Sequence, residues 1–150
     1  MLQTDLKEMM KDAMRAKDAT KLAVVRGLIS NCTNEAVTRG KGPDGVLSEE
    51  EVLGVVMRAA KQRKDSIEQF TAGGRPELAD GEKAELAILE TMLPAQMSRE
   101  EIEAAARAKA AELGVADKTG VNKLMGMLMK DLRGKADGTI VKEVVDTLFA

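Results

Sequence analysis

The chain has 150 residues, with 23 Lys and Arg against 25 Asp and Glu, no histidine, one cysteine and two aromatic residues, Phe70 and Phe149. Without histidine, Ser–His and Cys–His nucleophile systems and the commonest metal ligand are excluded, and a single cysteine forms neither an internal disulfide nor a thiolate zinc site. The hydrophobic share of 44% can still build a core, but only from aliphatic residues, Ala and ten Met, a composition that favours helices over sheet.

Leu2, Leu6, Met9, Met10, Ala13 and Met14 recur every three to four residues and predict an amphipathic first helix. Asp18 can cap a second helix whose apolar face is Leu22, Val25, Leu28, Ile29, Cys32 and Ala36, ending near Gly40. After a loop, Ser48 and Glu51 form a capping box, in which hydroxyl and carboxylate satisfy free amides reciprocally. The third helix is expected to bury Val52, Val55, Val56, Ala59, Ala60, Ile67 and Phe70. Gly73 and Gly74 end it, and Pro76 suits the first turn of a fourth helix carrying Leu78, Leu86, Leu89 and Met92.

The run LPAQM at 93–97 breaks the pattern, and Ser98 with Glu101 makes a second capping box. A fifth helix is predicted over 102–113, stopped by Gly114 as a left-handed terminator. The sixth covers about 119–132 and the seventh about 139–149, with Ile140, Val141, Val144, Val145 and Leu148 inward. The fold class is therefore all-α: an N-terminal four-helix domain at residues 1–93 and a small C-terminal three-helix bundle at 98–150, joined by a short hinge. No apolar run reaches the ~20 residues that span a bilayer, and the charged first residues carry no secretory signal. A soluble cytoplasmic protein with no membrane partner is expected.

No catalytic constellation stands out, and no cofactor or metal is expected. There is no phosphate loop of the GxxxxGK[ST] type and no strand-borne GxGxxG. Glu82 with Glu85, and Glu100 with Glu101 and Glu103, read as solvated faces of Ala-rich helices. Cys32 reads as a small buried hydrophobe, and Met125, Met127 and Met129, with Leu124 and Leu128, as core packing.

Charge is uneven. Residues 1–41 carry eight Lys and Arg against five acids, 77–117 four against ten, and 118–150 six against four. Lys7, Lys11 and Arg15 form a stripe on the first helix, with Asp5, Glu8 and Asp12 close by. Arg58, Lys61, Arg63 and Lys64 are denser, but Asp65 and Glu68 follow four residues after Lys61 and Lys64. The first reads as a mixed salt-bridged surface and the second as partly self-neutralised. Lys123, Lys130, Arg133 and Lys135 differ, because the last two lie in a loop at 131–138 that also holds Gly134 and Gly138. Glycines there let backbone amides point outward beside cations, and the next helix would bring its positive end to the same place. This is the candidate site for an anion or an RNA backbone. Without aromatic platforms, shape and backbone recognition is the expected mode.

Residues 61–102, KQRKDSIEQFTAGGRPELADGEKAELAILETMLPAQMSREEI, resemble the central signature of the YqeY-like family. The segment NKLMGMLMKDLRGKADGTIVKEVV near the end resembles its second signature, with xMGxxM and GxADGxxV elements, and the two stand in the family's order. Met92 occupies a position usually held by Tyr, and Met97 one usually held by Leu. The resemblance implies a two-domain all-helical protein related to the C-terminal tail of the B subunit of the tRNA-dependent Asp/Glu amidotransferase. If that tail's role in holding tRNA carries over, the matching positions are Lys123, Gly126, Lys130, Gly134, Lys135, Asp137 and Gly138.

Three functions follow as expectations. The first is a non-catalytic tRNA- or RNA-binding accessory module, with tRNA, and amidotransferase or tRNA-processing proteins, as partners. The second is a component of a carbon–nitrogen ligase that takes glutamine as amido donor and acts on misacylated tRNA. The third is a protein-interaction adaptor.

Overall fold

A computed structural model describes residues 1–150, and every regular element in it is helical. The helices are α1 (Gln3–Arg15), α2 (Ala19–Thr38), α3 (Glu49–Ala72), α4 (Pro76–Thr91), α5 (Arg99–Leu113), α6 (Val121–Asp131) and α7 (Gly138–Leu148), with a 3-10 turn at Lys118–Gly120 leading into α6. The all-α expectation holds. The chain divides into two compact units, Met1–Leu93 and Pro94–Ala150.

Local chemistry sets the helix ends. The Asp18 carboxylate accepts from Lys21 N at 3.0 Å and caps α2. At α3 the Ser48 hydroxyl accepts from Glu51 N at 3.2 Å while Glu51 Oε2 accepts from Ser48 N at 2.7 Å. Ser98 and Glu101 repeat those two bonds at α5, which therefore begins at Arg99, three residues before the expected start. Pro76 opens α4, and Gly114, at φ +70°, closes α5 in the left-handed region where a Cβ is unfavourable.

In the N-terminal unit the core is aliphatic: Leu6, Val24, Val25, Leu28, Val52, Val55, Val56 and Leu89, with Cys32 among them. Leu47 joins them from the loop before α3 at 1% exposure, held by its backbone N–H donating to Gln3 Oε1 at 2.8 Å. On α4 the inward position falls on Ala79, and Leu78 is exposed. Two expectations fail here. Ile67 and Phe70 are only half-buried. Met14 is 52% exposed, so the apolar face of α1 ends at Ala13.

The C-terminal unit closes on Ile102, Ala106 and Ala110 of α5, Leu124 and Leu128 of α6, and Val141, Val144 and Val145 of α7. These lie at three- and four-residue intervals, so each helix contributes one stripe. That period cannot bring alternate residues to one side. Met125 is therefore partly buried against the core while Met127 and Met129 stand 38% and 36% exposed, which corrects the reading of all three as core.

Candidate nucleic-acid interface

Lys123, Gly126 and Lys130 lie on α6, and all three are exposed. Seven residues of helix separate the two lysines, two turns and about 10 Å along the axis, so both project from one side with Gly126 between them. A Cβ on Gly126 would meet nothing within 4 Å, so the backbone there is open to solvent. Below the end of α6, Arg133 and Lys135 are exposed on the turn, and Gly134 between them is buried.

The turn is built from local and long-range bonds together. Gly134 takes φ +80°, which reverses the chain. Lys135 N and Ala136 N both donate to Leu132 O, at 2.9 and 3.1 Å. The carbonyls of the turn are used as well. Gln96 Nε2 donates to Gly134 O at 3.1 Å and to Pro94 O at 2.9 Å, and Met97 N donates to Lys135 O at 2.7 Å. The LPAQM break and the GKADG turn, separate motifs in the sequence, thus meet in one hydrogen-bonded corner. With its carbonyls held from that side, the turn fixes where the stems of Arg133 and Lys135 begin.

Two parts of the expected anion cradle are arranged differently. Gly138 is not left-handed; it is the first residue of α7, and a Cβ there would sit in ordinary contact with Met129. The positive end of α7 also already carries an anion of its own, since the Asp137 carboxylate accepts from Thr139 N at 2.8 Å. An anion at this corner would accordingly be met by side-chain cations and not by the helix terminus.

Charge pairing separates the cations of this unit. Arg99 pairs with Glu143, Arg107 with Glu103, and Lys109 with both Asp131 at 2.9 Å and Glu112 at 3.2 Å. Arg133 has an interaction partner within the chain, as does Asp137. Lys118, Lys123, Lys130, Lys135 and Lys142 enter none of these ion pairs and are exposed, and of these Lys123, Lys130 and Lys135 lie on α6 and the turn below it. Sequence reading missed Lys109, whose side chain is only 18% exposed and reaches across to the last residue of α6. Its contact with Asp131 spans 22 positions, outside the spacing that reveals helix-surface pairs. The hydrogen bond it donates to Asp131, then that to Glu112, raises the Lys109 pKa.

The other two basic groups are largely paired from within, Lys7 excepted. Lys11 pairs with Glu8 and Arg15 with Asp12, while Arg58 pairs with Glu35, Lys61 with Asp65, and Arg63 with Glu82 and Glu85. Cys32 is 1% exposed, and burial pushes its thiol pKa up, opposite to the shift that makes a nucleophile. No group of three or more Cys, Asp or Glu side chains is gathered where a metal ion could be held. No helix is long and apolar enough to cross a membrane.

A family model described as "Yqey-like protein" matches residues 3–149. Among individual proteins, the chain is similar to "Altered inheritance of mitochondria protein 41, mitochondrial" of Kluyveromyces lactis, 37% identical over 66% of this chain and 53% of that protein. The protein of the same name from Lachancea thermotolerans is 35% identical over 59% of this chain and 46% of its own length. In Vanderwaltozyma polyspora the identity is 33%, over the same shares. The chain thus spans about half the length of the curated relatives it matches. Each of these is named a mitochondrial protein, which overturns the cytoplasmic location expected from the sequence.

Proposed function

This chain belongs to the YqeY-like family, and from that premise we propose that it is a non-catalytic helical module that binds the phosphate backbone of a folded RNA, with tRNA as the leading candidate. The observation that carries the reading is the row of exposed lysines outside every ion pair, Lys123, Lys130 and Lys135, on α6 and the turn below it. In the other two basic groupings, Lys11, Arg15, Arg58, Lys61 and Arg63 are tied to carboxylates of their own chain. Cations already spent on carboxylates add little to a polyanion's affinity, whereas free ones release counterions when they meet phosphates. The open backbone at Gly126 lets a strand lie close to α6 between two of these lysines.

The choice of tRNA draws on the resemblance of the C-terminal signature to the amidotransferase B-subunit tail. A module without catalysis accords with the missing histidine and the buried, unactivated thiol. The test uses the whole chain at micromolar concentration with labelled tRNA at ~50 mM salt, where phosphate contacts are strongest. Saturable binding is expected, and its absence overturns the proposal. In parallel, the chain with glutamine, ATP and misacylated tRNA should release no ammonia; release would favour a carbon–nitrogen ligase component.

A further inference from the structure

Asp131 ends α6, one residue from Lys130 and two from Arg133. Left alone, its carboxylate would be an anion inside the cationic row, drawing in those side chains and repelling phosphates. It is not left alone. Lys109 of α5 donates its ammonium to it at 2.9 Å, and Glu112 holds the same ammonium at 3.2 Å. The Lys109 side chain is 18% exposed against 43% for Asp131, so the cation sits on the inner side of the pair.

We infer that Lys109 is a positioning residue for the RNA interface: it holds Asp131 in an intramolecular ion pair, so that the carboxylate does not compete with phosphates for the neighbouring Lys130. The inference rests on the RNA-binding reading above. Lys109 need not touch RNA to act. Its effect is to set the net charge that α6 and the turn present, and opposite charges this close on a protein surface couple appreciably.

The signature is a change in binding that reverses when the carboxylate is removed. The experiment measures tRNA affinity and its salt slope for the full chain and for Lys109→Gln, Lys109→Arg, Asp131→Asn, the Lys109→Gln/Asp131→Asn double variant and Arg107→Gln, with thermal unfolding confirming that each is folded. Arg107→Gln removes one positive charge from the same helix, but from a pair with Glu103 that stays within α5. Lys109→Gln should bind roughly three- to tenfold more weakly than the unaltered chain, with a shallower salt slope. Lys109→Arg, the double variant and Arg107→Gln should each stay within about twofold of it. Asp131→Asn alone, its carboxylate already held by Lys109, should stay within about twofold of the unaltered chain, and a several-fold tightening would overturn the positioning role even if Lys109→Gln does not fold.

If the unaltered chain binds and Lys109→Gln binds equally well, the positioning role is wrong while the RNA reading stands. A weakened Lys109→Gln that Asp131→Asn fails to restore overturns it too, as does an Arg107→Gln loss of the same size. No binding by the unaltered chain removes both readings.

Discussion

Gln96 and Gly134 are 38 residues apart, yet the side-chain amide of the first donates to the backbone carbonyl of the second at 3.1 Å. Beside it, Met97 N donates to Lys135 O at 2.7 Å. The segment that opens the C-terminal unit is thereby the strap that shapes its basic turn.

Replacing Gln96 with Ala removes two hydrogen bonds, to Gly134 O and Pro94 O. Because the residue is exposed, water recovers part of that loss, so the cost should be about 1 kcal/mol in urea unfolding. The same change should weaken tRNA binding although Gln96 carries no charge. Unaltered affinity together with unaltered stability would show that the strap does not set the turn.

Two glycines near the interface should answer substitution with opposite signs. Gly134 has φ +80°, where an L side chain is strained, so Gly134→Ala should cost about 1–2 kcal/mol. Gly126 is an exposed residue inside α6 with open space around it, so Gly126→Ala should stabilise by about 0.5–1 kcal/mol. Thermal unfolding of the two variants reads both signs at once. A stabilising Gly134→Ala would contradict the turn geometry.

Much of the fold was open to sequence reading, because the signals were local. Ser48, Ser98, Pro76 and Gly114 mark helix ends by chemistry that acts within four residues, and each does so in the structure. The apolar period placed Val141, Val144 and Val145 inward as expected. Where a run of similar residues blurs the period, as at Met125–Met129, the expected facing differs from the observed one. The candidate site was only partly legible. The lysines of α6 could be found from spacing, but whether a cation is spent depends on partners such as Asp131 for Lys109 or Glu85 for Arg63, 22 positions away in both cases. No periodicity encodes those contacts.

Acid should destabilise the protein through its paired carboxylates. The hydrogen bond from Lys41 holds the Glu51 pKa below its ordinary value, Lys11 does the same for Glu8, and Arg75 for Glu77. Each folded pKa lies below the unfolded one, so the unfolded chain binds protons first. The stabilisation is therefore complete above the unfolded carboxylate pKa of about 4.3 and is lost as pH falls through the lower folded values. The unfolding temperature should stay level from about pH 8 to pH 5 and drop below about pH 4.5, since no histidine titrates between. A fall between pH 7 and pH 5 would contradict this.

The most direct measurement is the salt dependence of tRNA binding for the intact chain and for the Lys123→Ala/Lys130→Ala/Lys135→Ala variant. If the three exposed lysines neutralise phosphates, the variant's log–log slope should be shallower by about 2–3 units, with a large loss of affinity at ~50 mM salt. A variant that keeps both the affinity and the slope of the unaltered chain would place the RNA elsewhere, or nowhere, on this protein.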